Sequence, residues 1–510
     1  YKVVDTCAGE FVAETPYCYS TYEKTHDIKP LTGKKVVILG GGPNRIGQGI
    51  EFDYCCVQAV YGLREAGYKS IMVNCNPETV STDFDLADRL YFEPITFEDV
   101  MNIIDFEKPD GVLVQFGGQT PLKIANQLQE AGIKIFGTSS DSINLAENRE
   151  EFTDLVNRLK IIVPKYCIAK NYDEIVAYSE KAQFPVLVRP SYVLGGRAMQ
   201  IVYSEKQLVD YVFRSAEATS DHPILIDQFI ENAFEFDVDA LCDGQDVFIA
   251  GIMQHIEEAG IHSGDSSCVL PAYKITNKVK KEIIDVTTKL AKALNVIGLI
   301  NLQFAVKDEI VYVLEVNPRS SRTVPFVSKY SNISLANIAA QLSVGKKLKD
   351  FKLKNIKHKH VAVKKAVLPF KKFKNEKVFL GPEMKSTGEV MGINDNVGVA
   401  FLKAMESDGY TVPKKGTAFI SINKADRREA LYAARDLVEI GFDIIATEGT
   451  AQYLSKHGIS CKEIFKVGEG RPNVVDEILN DNVQFVINTP TGAKARYDEE
   501  SIGRTSVMKN

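Results

Sequence analysis

Residues 298–326 read GLINLQFAVKDEIVYVLEVNPRSSRTVPF, and the fold turns on how this stretch is taken. Two runs rich in β-branched and aromatic residues, 299–306 and 310–316, flank the polar turn Lys307-Asp308-Glu309, the pattern of two antiparallel strands joined by a short loop. Side chains alternate faces along a strand, so Glu315 and Asn317 share a face while Gln303 sits on the partner strand. A glutamine, a glutamate and an asparagine offer only oxygen donors, a set suited to Mg²⁺, and one carboxylate can bridge two such ions. Pro318 stops the ladder, and Arg319 and Arg322 follow within a turn. Arginine beside such a cation is what a transferring phosphoryl group needs, since the metal neutralises its oxygens and a planar cation holds the charge spread over them. The apolar surroundings predict that these polar residues are half-buried, and buried polar groups need partners. Read alone, the stretch leaves another possibility open: Glu315 as an edge-strand acid and the arginines as a solvated patch.

A length of 510 residues predicts three or four domains. The composition, 45% hydrophobic and 25% charged, is that of an ordinary globular protein. A net charge of −6 leaves no dominant basic face for nucleic acid. The lysine-rich run 346–374 reads as solvated surface. Nine cysteines occur without CxxC spacing, two of them adjacent (Cys55 and Cys56) in a predicted helix, which suits reduced packing cysteines of a cytoplasmic protein. No apolar run approaches the roughly 18 residues of a membrane span, and no signal peptide is evident. The chain opens at Tyr1 without an initiator Met, and the expectation is a fragment.

The pattern formed by Asn301, Gln303, Phe304, Glu315, Asn317, Pro318, Arg319 and Arg322 through Phe326 resembles the ATP-grasp core of the carbamoyl phosphate synthetase large subunit. It is similar specifically to the second of that subunit's two synthetase halves followed by its regulatory domain, over nearly the whole chain. The resemblance implies an α/β protein: residues 1–28 as the end of a helical oligomerisation domain, 29–138 as a parallel-sheet pre-ATP-grasp domain, 139–400 as the ATP-grasp catalytic domain, and 401–510 as a methylglyoxal-synthase-like allosteric domain truncated at its C terminus.

Taken in order, residues 1–28 are tyrosine-rich with no core of their own and read as a loosely held arm. The run 34–40 is a buried strand, followed by a glycine-rich turn and an amphipathic helix. Gly40-x-Gly42-x-x-Arg45 lacks the third glycine of a dinucleotide fingerprint, so that reading is set aside. Strands in 70–76 and 111–121 alternate with helices, which predicts a parallel sheet; by resemblance this domain lines the carbamate path.

Residues 139–159 read as helical and carry Arg149, which the resemblance makes a nucleotide-phosphate contact. Arg189 closes a strand, and Gly195-Gly196-Arg197 reads equally as an ordinary hairpin turn or as a lid whose N–H groups fold over phosphates. Residues 221–244 read as strand, short helix and strand. The resemblance sets adenine against the backbone at Gln228 to Ile230 and ribose on Glu235, although Glu235, Asp237 and Asp239 would otherwise pass for a solvent face. It also makes Gly260, Ile261, His262 and Ser263 nucleotide or phosphoryl contacts, with His262 a donor to phosphoryl oxygens. Gln303, Glu315 and Asn317 would hold metal, the first two also touching nucleotide, and Arg189, His262, Arg319 and Arg322 would stabilise the moving phosphoryl group. The helix of 334–346 and the motif LGPEMKSTGEVMGI close this domain near residue 400.

The last hundred residues alternate strands and helices as a small parallel unit, with Thr447, Thr450, Lys466 and Asn488 at or just beyond strand C-termini, where such sheets bind ligands. The resemblance implies a phosphate pocket for a nucleotide effector such as UMP or IMP. Arg427 stands where that pocket often has lysine, and Pro490 where a hydroxyl residue is common. Of the acids that bind ornithine in activated family members, Glu257 and Asp265 are matched but Lys365 replaces a third, so weak or absent ornithine activation is expected.

The implied reaction is Mg²⁺- or Mn²⁺-dependent phosphorylation of carbamate by ATP, with K⁺ as a further cation, serving arginine or pyrimidine biosynthesis. The implied partners are the N-terminal synthetase half and a small glutamine amidotransferase subunit, in an oligomer when complete, with neither nucleic acid nor membrane. Two rival readings are a biotin-dependent carboxylase, which would show several consecutive glycines in the lid, and a nucleotide-binding scaffold without turnover.

Overall fold

The computed structural model describes residues 1–43, 49–169, 172–179, 182–190, 198–216, 224–354, 358–372, 378–424, 426–489 and 493–509. The glycines and arginine of the expected lid, 195–197, lie outside the described residues, as do Arg45 and Pro490. The chain divides into two units, Tyr1–Val367 with Gly381–Ala404, and Leu368–Leu380 with Met405–Asn510.

In the first unit, six strands form one sheet in the order β1-β2-β5-β4-β3-β6, comprising Lys2–Val4, Tyr17–Tyr19, Lys35–Leu39, Lys69–Asn74, Arg89–Phe92 and Gly111–Leu113 for β1 to β6. From β2 onward the pairings are parallel, as the alternation with helices predicts. Every residue of β3 is buried, as expected of a strand covered on both faces. The N-terminal stretch is not a loose arm: β1 and β2 extend this sheet, and the buried Tyr1 ring meets Tyr91 edge-on at 4.9 Å and Phe106 at 5.2 Å. Aromatic burial against an existing sheet edge supplies the core that residues 1–28 lack by themselves. No helix forms in this stretch.

A second sheet, antiparallel throughout, has the order β7-β10-β8-β9, from Tyr166–Ala169 (β7), Val186–Pro190 (β8), Gln200–Val202 (β9) and Ile224–Gln228 (β10). The third is a seven-stranded antiparallel sheet in the order β15-β14-β11-β12-β13-β16-β17, built from Phe234–Asp243 (β11), Val247–His255 (β12), Cys268–Leu270 (β13), Ile297–Lys307 (β14), Ile310–Asn317 (β15), Val361–Val367 (β16) and Gly388–Asn394 (β17). The predicted hairpin is β14 and β15. Its turn places Asp308 and Glu309 at φ of 50° and 61°, the left-handed pair whose twist suits a two-residue hairpin. No helix separates β10 from β11, contrary to expectation, because only five residues join them.

One face of the central strands carries Phe236, Val238, Leu302, Phe304 and Val316, buried with residues of the helices Arg149–Arg158 and Asn277–Ala293. The predicted helix of 139–159 is two helices, Ser140–Glu147 and Arg149–Arg158, broken at Asn148, whose side chain accepts the N–H groups of Glu150 and Glu151 as a cap.

The second unit holds a parallel sheet in the order β20-β19-β18-β21, comprising Gly416–Ile422 (β18), Phe442–Thr447 (β19), Lys462–Ile464 (β20) and Phe485–Thr489 (β21). None of the nine cysteines forms a disulfide, and no helix among the described residues is long and apolar enough to cross a membrane.

Candidate active site

Alternation along β11 puts Glu235, Asp237 and Asp239 on one face, and the register continues that polar face across the hairpin. Asp237 lies opposite Gln303 and Asp239 opposite Asn301, and on the far side Glu315 pairs with Gln303 and Asn317 with Asn301. A bulge between Gln303 and Phe304 leaves Leu314 without a cross-strand partner and bends β15 beside Glu315. Gln303 and Asn317 are half-buried as expected, but Glu315 is exposed. The difference follows from β15 being the edge strand of the sheet, which leaves the carboxylate open on one side.

Gln303 Nε2 donates to Ser263 Oγ at 2.9 Å, so the two halves of the expected site, metal hairpin and polar loop, are joined. Arg319 donates to Asn317 Oδ1 at 3.0 Å and to the Ser320 carbonyl at 2.7 Å, and lies 5.6 Å over the Phe52 ring. Burial lowers its pKa against the attraction of Glu315 and Glu147. His262 donates its backbone N–H to the Gly381 carbonyl at 2.8 Å, and its Nδ1 accepts the Gly264 N–H at 3.0 Å. That acceptor role makes Nε2 the protonated nitrogen, a donor free of its own loop.

Arg149 and Arg189 converge on Asp227, Arg149 through its Nη2 and Arg189 Nε at 3.6 Å from Oδ2, one residue before Gln228. Arg149 also lies 4.8 Å over Tyr166. The buried Nε atoms of Arg149, Arg189 and Arg319 have no hydrogen-bond partner. Three arginines with enclosed, unanswered donors fit an anionic, many-oxygened ligand such as a nucleotide polyphosphate. The exposed Glu315 carboxylate with the amide oxygens of Gln303 and Asn317 is a donor set that fits a hard divalent cation.

Glu235 accepts the Gly260 N–H at 3.1 Å and faces His255 Nδ1 at 3.2 Å, while His255 Nε2 contacts Asp237 Oδ2 at 3.0 Å. Although burial works against charge on His255, Cys268 and Asp237 outweigh it and hold the pKa well above the ordinary value. Glu235, Asp237 and Asp239 are therefore not a solvent face. Burial pushes Asp239 up to about 6, against hydrogen bonds from Thr323, Asn301 and Ser321 that anchor the turn after β15.

Arg322 departs most from expectation. Its guanidinium is 9% exposed and taken up bidentately by Glu51 at 3.0 and 3.2 Å and by Ser386 Oγ at 2.9 Å. It ties the polar loop's surroundings to the helix Glu51–Glu65, with most of its donors engaged within the protein, because a buried glutamate demands its cation. Glu51, Ser386, His255 and Lys364 were missed by sequence reasoning. The one available signal is the motif around Ser386, which taken alone marks only the end of a domain.

In the second unit, Thr447 and Thr450 are buried around the end of β18: Thr447 Oγ1 lies 3.3 Å from Ser421 Oγ, and Thr450 Oγ1 accepts the Ile422 N–H at 3.2 Å. Asn488 pairs with Ser421 in the sheet, and Arg427 reaches the Gly449 carbonyl at 3.3 Å. These four share the C-terminal edge. Lys466 lies beyond β20 and turns to Glu469 at 3.9 Å.

A parallel-sheet domain followed by two antiparallel sheets, with enclosed arginine Nε donors that lack hydrogen-bond partners and an all-oxygen acceptor set on the larger sheet, defines an ATP-grasp protein. Solved structures share the fold: an ADP complex of an N5-carboxyaminoimidazole ribonucleotide synthetase is 17% identical with a TM-score of 0.56, covering 75% of this chain and 97% of that one. The biotin carboxylase domain of the Hydrogenobacter thermophilus 2-oxoglutarate carboxylase is 16% identical with a TM-score of 0.54, covering 66% of this chain and 76% of that one. Family profiles match the carbamoyl phosphate synthase preATP-grasp domain at residues 32–145, the carbamoyl-phosphate synthase L chain ATP binding domain at 148–351, and an MGS-like domain at 429–510. The carbamoyl phosphate synthase large chain of Archaeoglobus fulgidus is 58% identical over 509 residues, 99% of this chain and 47% of its relative. That of Pasteurella multocida is 54% identical over 511 residues, 100% of this chain and 48% of the relative. The chain belongs to the carbamoyl phosphate synthase large-chain family and spans about half the length of the curated relatives it matches. Of the matched domains, the one at 148–351 is an ATP binding domain by its description.

Proposed function

We propose that this chain phosphorylates carbamate with ATP, giving carbamoyl phosphate and ADP, as the second half of glutamine-dependent carbamoyl phosphate synthesis from bicarbonate. The observation that carries the reading is the hydrogen bond from Gln303 to Ser263, which sets the oxygen-donor face of β14 and β15 against the His262 loop. Gln303, Glu315 and Asn317 would hold Mg²⁺ or Mn²⁺, which when bound neutralises phosphate charge. Arg149 and Arg189 answer nucleotide phosphates, Gln228 to Ile230 and Glu235 border adenosine, and Gly260 to Ser263 close on the phosphoryl oxygens.

His262 donates from Nε2 to the transferring group, and Arg319 holds the charge spread over it. Arg322 acts one step away, by fixing Ser386 and the loop. Carbamate decomposes in water, so it must reach this site along a shielded route from where it forms. That need accounts for pairing with an N-terminal synthetase half and an amidotransferase subunit, in a cytoplasmic enzyme of arginine or pyrimidine synthesis. K⁺ as a further cation and a UMP- or IMP-type effector at Arg427, Thr447, Thr450, Lys466 and Asn488 complete the reading.

The test is the back reaction: the chain is given carbamoyl phosphate, ADP and Mg²⁺, and ATP is followed with Glu315→Ala as control. ATP from the parent and none from the variant is expected. Equal ATP from both would sink the assignment of Glu315, and nucleotide binding without ATP from either would favour a scaffold.

A further inference from the structure

We propose that Lys364 is a positioning residue that turns the 262–264 loop toward the transferring phosphoryl group, an inference that rests on the reading of that loop given above. Lys364 lies on β16 within the lysine-rich run expected to be solvated, yet it is fully buried. Its Nζ donates to two successive loop carbonyls, Ser263 at 3.2 Å and Gly264 at 3.5 Å. Ser386 Oγ donates to the same Gly264 carbonyl at 3.3 Å, and Asp265 accepts the N–H groups of Lys385 and Ser386 at 2.8 and 2.9 Å. Burial opposes the ammonium's charge, but Cys268 and Glu389 beside it outweigh that cost, so Lys364 remains a cation.

The chemistry explains why a cation is kept there. A loop that receives a phosphoryl group must present N–H and O–H donors and keep its own carbonyl oxygens, which repel phosphate oxygens, turned away. An ammonium has three donors and no acceptor, so it can hold two consecutive carbonyls without offering the phosphoryl group anything. With those carbonyls drawn inward, Ser263 Oγ meets Gln303 and His262 stays in the ring orientation set by the Gly264 N–H.

The experiment compares the parent chain with Lys364→Met, which keeps an unbranched side chain one atom shorter and removes its donors. The expected result is a kcat for ATP formation from carbamoyl phosphate and MgADP lowered about a hundredfold, the cost of displacing a catalytic group by about 1 Å, with MgADP affinity by calorimetry retained. The ¹⁵N signals of His262, assigned by comparison with His262→Gln, should show the Nε2–H tautomer in the parent and a mixture in the variant. A folded Lys364→Met chain with the parent's kcat and tautomer would overturn the proposal, since a packing role alone lowers only stability. Should that variant not fold, Ser386→Ala removes the second donor to Gly264, and parent-like kcat and tautomer there would overturn it equally. A parent chain that makes no ATP refutes the functional reading alone, because the His262 signals still decide the role of Lys364.

Discussion

His262 is neutral where it stands. Burial lowers its pKa, with Arg322 adding to the effect and Asp265 and Glu315 opposing it, and its Nδ1 is already an acceptor. A base whose folded pKa lies below its unfolded value, about 6.5, stabilises the fold fully above that unfolded value and loses the contribution as pH falls through the folded one. The difference in unfolding free energy between the parent and His262→Gln is therefore expected to be constant above about pH 6.5 and to shrink below it, read by denaturant titration. A difference that grows on acidification would contradict the neutral donor. At this scale the sequence was informative about residue type and weak about surroundings. The shared face of Gln303, Glu315 and Asn317 was legible because strand alternation and the hairpin register dictate it. Lys364 was illegible because a lysine run looks solvated until strand pairing buries one member, and Arg322 because its partner Glu51 lies 271 residues away in the chain.

Elements were legible where periodicity is strong. The β14 and β15 hairpin, the strand β3 and the parallel sheet of the second unit all follow from apolar runs between turn residues. The short strands β1 and β2 were not, since three-residue strands carry no period and exist only by pairing with a sheet edge. The break at Asn148 was equally hidden, one capping side chain deciding it. Close approach of helices is a matter of single residues too. A Cβ on Gly62, in Glu51–Glu65, would stand 2.4 Å from the Asn337 carbonyl of the helix Leu335–Ser343. That backbone contact cannot yield by a rotamer change, so Gly62→Ala should destabilise the chain by about 1–3 kcal/mol through overpacking. Chemical denaturation measures it, and a neutral or stabilising effect would show that the two helices are not packed this closely.

At the scale of the whole molecule, the family's regulatory behaviour can be weighed against how its residues are engaged. Asp265 is 2% exposed with both oxygens on backbone N–H groups, and Glu257 accepts the Ser267 N–H at 2.6 Å. With Lys365 in place of a third acid, Glu257 and Asp265 form no open carboxylate cluster for an amino acid cation among the described residues. Assays of the chain joined with its synthetase half and amidotransferase should show no stimulation by ornithine, and a clear stimulation would refute this reading. The central claim, that the polar face of β14 and β15 holds a nucleotide-bound divalent cation, is tested most directly by titrating Mn²⁺ into the parent and the Glu315→Ala chain with ADP present, followed by electron paramagnetic resonance. The account predicts an ADP-dependent Mn²⁺ site in the parent that disappears in the variant while ADP still binds. An undiminished Mn²⁺ site in Glu315→Ala would contradict it.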